Sequence, residues 1–100
     1  MPEVLGIHLI CKNGLHIEEL GDGRFKTGNW KIAENRAKTA HYLALHDQKN
    51  LPSYKQGLVE KYEHSDTHPD RIIFYVKKSD KPLQWVGKGT GEKGYFWSEN

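Results

Sequence analysis

Lys31, Glu34 and Arg36 fall within six residues of one another and directly follow Trp30. Lysine and arginine donate to phosphate oxygens and base edges, and a glutamate accepts from an exocyclic amino group. An aromatic face beside them offers a stacking surface for a flat polar ring. These four residues are therefore the candidate site, and a nucleic-acid base is the ligand they suit. His46 and Tyr54 are the expected rim residues. Lys88, in a segment with four glycines between residues 87 and 94, is the expected contribution of a closing loop. Neither a cofactor nor a catalytic residue is called for, and stacking with edge hydrogen bonds requires no reaction.

Other constellations carry less chemistry. His64 and His68 have zinc-compatible spacing, but they lie in a Ser/Asp/Thr/Pro loop, which argues against a rigid site. Gly87-Lys88-Gly89-Thr90-Gly91 has the wrong order for a phosphate loop, and no helix follows it. The nucleophile elbow, the zinc-protease helix motif and paired cysteines are all missing. Cys11 ends an apolar run, where a buried inert thiol is expected. Trp30, Trp85 and Trp97 either pack the core or line an aromatic cage. Lys77, Lys78, Lys81, Lys88 and Lys93 form a lysine-rich last quarter that either tracks phosphates or simply solvates the surface.

These side chains must be held by short elements. Val4–Ile10 reads as a buried first strand. Asn13-Gly14 predicts a tight hairpin into Leu15–Leu20, and Gly21-Asp22-Gly23 turns the chain into Arg24–Lys26, giving an initial meander. Thr27-Gly28-Asn29 interrupts that pattern. Trp30 to Ala40, rich in Ala, Glu, Arg and Lys, predicts a helix of about three turns, with Trp30, Ala33, Ala37 and Ala40 as its buried stripe and Glu34–Lys38 as a surface pair. Strands follow at Tyr42–His46, Lys55–Tyr62 and Arg71–Val76, then Leu83–Val86, and Tyr95–Trp97 returns to the sheet. Many short strands with one main helix predict an α+β domain built as a small, partly open β barrel.

The segment Gly28 to Arg36 resembles the Gly-x-Lys-x-x-x-x-Arg signature of ASCH domains, with one extra residue after the glycine. Tyr42-Leu43-Ala44-Leu45-His46, then Gly57-Leu58-Val59-Glu60, resembles the strand, polar loop and returning strand of ASCH and EVE domains. Ala40-His41 stands where the family has a glycine before the barrel strand. The resemblance covers residues 28–76. It implies a PUA-like fold and binding of RNA, DNA or a modified base. Some ASCH proteins hydrolyse acylated cytidine, which would give Lys31 and Glu34 acid–base roles. A third reading is an interaction or inhibitor protein with a flat basic and aromatic face.

Size and charge bound the rest. One hundred residues with a net charge of +2 fit a single domain spanning 1–100, far from the charge of a histone-like binder. No apolar run approaches the roughly 20 residues that cross a bilayer, so no membrane partner is expected. Met1-Pro2-Glu3 lacks the features of a signal peptide, and the lone cysteine fits a reducing cytoplasm.

Overall fold

The computed structural model describes residues 2–14, 16–87 and 91–98. Seven strands form one sheet: β1 (Val4–Ile10), β2 (Ile17–Gly21), β3 (Arg24–Trp30), β4 (Tyr42–His46), β5 (Lys55–His64), β6 (Ile72–Ser79) and β7 (Lys93–Trp97). One short helix, α1 (Glu34–Ala37), interrupts them. The spatial order is β2-β3-β6-β5-β4-β1-β7. β1 and β4 run parallel, and every other neighbouring pair is antiparallel. The sheet is not closed, and β2 and β7 are its two edges.

Alternation decides which side chains enter the core. Ile7 and Leu9 of β1, Leu43 and Leu45 of β4, and Ile72, Phe74 and Val76 of β6 all point to one face and are buried. Phe25, Ile32 and Ala37 complete that face. Irregular pairing at Thr27/Trp30 in β3 and at Val59/Lys61 in β5 bends the sheet around it. β1 and β4 are buried on their second face as well, which explains why both read as nearly continuous apolar runs. The cover on that second face is the irregular stretch 82–87, carrying Leu83 and Trp85. Paired backbone and side-chain bonds between Ser53 and Leu83, both 2.8 Å, fasten it to the sheet.

Three sequence expectations are corrected. The three-turn helix over Trp30–Ala40 is a single turn. Trp30 instead ends β3, paired with Ile72, and Ala33 is an exposed, extended cap residue. Pairing with β6 carries the strand through residues 24–27 and on to Trp30 and overrides the local helix preference of the alanines that follow. Thr39 then turns the chain, its hydroxyl donating to the Val4 carbonyl at 2.7 Å. The Glu34 carboxylate accepts from the Tyr62 hydroxyl and is not paired with the Lys38 side chain among the described residues.

The initial meander is also wrong in part. Asn13-Gly14 sits in a 3-10 turn with Gly14 at φ +64°. β1 and β2 are not partners, being separated by β4, β5, β6 and β3. Of the two turns expected in that meander, Gly21-Asp22-Gly23 makes a hairpin, between β2 and β3. Finally, Leu83–Val86 is not a strand but part of the cover. Its Trp85 and the residue Trp30 are half-buried and Trp97 is exposed, so Phe25 and Phe74 are the fully buried aromatics.

Candidate functional site

Trp30 is set at the end of β3 with its indole N–H donating to the Thr27 hydroxyl at 2.9 Å. The His16 ring meets it edge-on, centroids 5.3 Å apart. These two rings, with Asn29, Lys31, Arg71, Glu92 and Lys93, line an open cavity of about 410 Å³. Arg71, at the entry to β6, is aimed by a bond from its guanidinium to the Asn29 carbonyl at 3.3 Å. Lys31 is exposed, and Lys93 is the first residue of edge strand β7.

Among the described residues, Lys31, Arg71 and Lys93 form no ion pair with a carboxylate. Four other cations are paired: Arg24 with Glu60, Lys26 with Glu18, and Lys55 and Lys78 with Glu19. The Arg24 guanidinium beside Glu60, and the two lysines beside Glu19, hold these carboxyls below their usual range. Positive charge that is already paired attracts a polyanion weakly. Three cations against one lining carboxylate, Glu92, leave the cavity beside Trp30 with an excess of positive charge for a ligand.

A second cavity of about 350 Å³ continues from the first, sharing His16 and Asn29 and reaching Lys26 and Ile73. Gly28 lies flat against its wall. A Cβ there would stand 2.7 Å from Ile73 Cγ1, so the glycine permits the close approach of β3 to β6.

The predicted site residues do not all converge. Trp30 and Lys31 share the cavity. Glu34 turns to β5, accepting from the Tyr62 hydroxyl at 3.0 Å with His64 Nε2 3.5 Å away. Arg36 turns to β7, its guanidinium 4.7 Å from the Tyr95 ring centroid and 5.4 Å from that of Trp97. Lys31 and Glu34 therefore face different neighbours, Lys31 beside Trp30 and Glu34 beside Tyr62. Tyr54 donates to the Cys11 carbonyl and lines a different cavity with Glu19 and Asp47. Lys88 lies outside the described residues. The lysine-rich last quarter is dispersed: Lys78 is paired with Glu19, Lys81 borders an apolar hollow, and Lys93 alone joins Trp30. Sequence reasoning missed His16 and Arg71, which come to Trp30 from the turn before β2 and the loop before β6. No linear spacing connects them.

His46 belongs to a separate constellation. His8 and His46 are fully buried beneath Trp85, whose ring lies 5.9 Å and 5.1 Å from theirs. His46 Nδ1 lies 3.0 Å from the Leu51 carbonyl, which can only accept, so that nitrogen carries the proton. His46 Nε2 then accepts from His8 Nδ1–H at 2.9 Å, and His8 Nε2 accepts from the Tyr42 hydroxyl at 3.0 Å. One set of neutral tautomers satisfies the whole chain.

Burial, then the neighbouring His46, lowers His8 to about 4. Burial lowers His46 and raises Tyr42. Gly6 makes room for the Tyr42 ring, since a Cβ there would lie 2.0 Å from its Cζ. Among the described residues no cluster of three metal-ligating side chains exists, and His64 bonds the Pro69 carbonyl.

No protein-family model, curated protein or solved structure matches this chain. The geometry is therefore the basis for function. It offers one open cavity with unpaired cations beside aromatic rings, and one sealed chain of neutral histidines. No helix among the described residues is long and apolar enough to cross a membrane.

Proposed function

We propose that this is a PUA-like nucleic-acid-binding domain whose ligand enters the cavity beside Trp30. The observation that carries the reading is three cations, Lys31, Arg71 and Lys93, unpaired among the described residues and gathered from three distant parts of the chain around one aromatic-walled cavity. Phosphates on these cations release condensed counterions, which makes binding salt-dependent. A base seated against Trp30 and His16 gains stacking of about 1–3 kcal/mol. Asn29 and Glu92 supply polar groups for its edge. Binding needs no reaction, and the divergence of Lys31 and Glu34 favours a reader over a nucleoside hydrolase.

An NMR titration of labelled protein with short RNA and DNA oligonucleotides at two salt concentrations tests this. Shifts centred on His16, Trp30, Lys31, Arg71 and Lys93, weaker at high salt, are the expected result. Silence at low salt, or binding unchanged in a folded Lys31→Ala/Arg71→Ala double variant, would sink it.

A further inference from the structure

The cavity beside Trp30 opens onto a second surface that shares Lys93 with it. Along edge strand β7, Lys93, Tyr95 and Trp97 alternate onto one face of the sheet, while Phe96 turns to the other beside Tyr42. Tyr95 rests partly on the core and meets Trp97 edge-on at 6.3 Å. Arg36 lies over both rings. Among the described residues Arg36 has no carboxylate partner, and its charge is held by aromatic faces alone. Trp97 is 44% exposed. β7 is hydrogen-bonded only to β1, so its outer edge is free among the described residues.

An exposed tryptophan on a free edge strand, with an arginine stacked beside it, leads away from a cavity that already holds three unpaired cations. The strand from Lys93 to Trp97 spans roughly 13 Å at about 3.3 Å per residue. That is the rise of about four stacked nucleotides. A lone nucleotide would fill the cavity and leave this strip bare. A duplex would keep its bases stacked on each other and present none to Trp97.

We infer that the ligand is a single strand several nucleotides long, with one base in the Trp30 cavity and its neighbours running along β7 over Arg36 and Trp97. The strip extends the nucleic-acid reading of the cavity and rests on it. Its chemistry is that of sequence-tolerant single-strand binders: aromatic rings take successive bases, and an arginine adds charge and its own planar face. Arg36 and Trp97 supply length dependence, whereas Arg71 and Lys31 supply the anchor.

The test compares three probes on the intact chain: a free nucleoside monophosphate, an eight-nucleotide single strand carrying a fluorophore, and the same sequence as a duplex. Affinities are measured for wild type, Arg71→Ala, Arg36→Gln and Trp97→Leu, with unfolding midpoints recorded to establish that each variant is folded. Trp97→Leu and Arg36→Gln are expected to weaken the single strand about five- to 100-fold and leave the monophosphate unchanged. Arg71→Ala is expected to weaken both.

If Trp97→Leu and Arg36→Gln bind the single strand like wild type while Arg71→Ala weakens both probes, the strip is refuted and the cavity stands. A single strand that binds no better than the monophosphate, or a duplex that binds as tightly as the single strand, refutes the strip as well. Wild type binding none of the three probes refutes both readings.

Discussion

Two histidine-containing regions of this domain are built on opposite terms. His8 and His46 are sealed under Trp85, and every ring nitrogen has a partner. His16 stands in an open cavity with Trp30, among cations that have no carboxylate partner among the described residues. The first region spends its polar groups on itself. Among the described residues no buried side-chain nitrogen or oxygen is left unsatisfied, so the chain adds to the stability and uniqueness of the fold. The second leaves charge uncommitted, which does little for stability and favours an anionic visitor. The contrast teaches that the same residue type reports structure or function according to where its hydrogen bonds go.

Breaking the sealed region should have the largest effect. His46→Ala removes packing under Trp85 and strands the His8 Nδ1–H, so it should cost about 2–4 kcal/mol. Urea unfolding checks this, and a loss below about 1 kcal/mol would mean that the pair is dispensable. Acid should act on the same pair. The folded state holds His8 neutral down to about 4, whereas the unfolded chain binds a proton near 6.5. Between those values the unfolded state carries more protons, so stability falls as pH falls and levels off below 4 as far as His8 is concerned.

The His8 shift corresponds to on the order of 3 kcal/mol across that window. Unfolding midpoints at pH 7 and pH 4.5 should differ strongly in the wild type and less in His8→Phe. Equal differences in the two proteins would place the acid sensitivity elsewhere.

Gly6→Ala is expected to be milder. The new methyl expels the Tyr42 ring and leaves His8 Nε2 without its donor, for about 1–3 kcal/mol. Tyr42→Phe removes the hydroxyl with no clash, and its smaller loss would separate the hydrogen bond from the packing. The open cavity should respond least. Lys31→Ala and Arg71→Ala should each change stability by within about 0.5 kcal/mol while weakening nucleic-acid binding. A large stability loss on removing either cation would overturn the division between the two regions.

Most strands were legible in the sequence. Tyr42–His46 matches β4 residue for residue, and β5, β6 and β7 were placed to within a few residues, because β-branched and aromatic runs mark buried strands wherever they end up. The helix was misread because three alanines and several long side chains advertise a helix. Only the pairing of Trp30 with Ile72 reveals that the strand runs on. The site was half legible. Trp30 and Lys31 were found by type and proximity in the chain, but Glu34 and Arg36 were drawn in by the same proximity and diverge in space. His16, Arg71 and Lys93 reach the cavity from turns and edges whose meeting depends on strand order.

By itself, the sequence determined a small β-rich fold, the position of most strands and the aromatic and basic character of its candidate site. Those follow from local periodicity and residue chemistry, which need no partner to be read. Tertiary structure decided which histidines are sealed and which are open, which cations are neutralised, and which rings stand together. These depend on contacts between residues far apart in the chain, such as His8 with His46 and Asn29 with Arg71. Strand order and register set such contacts, and linear spacing does not encode them.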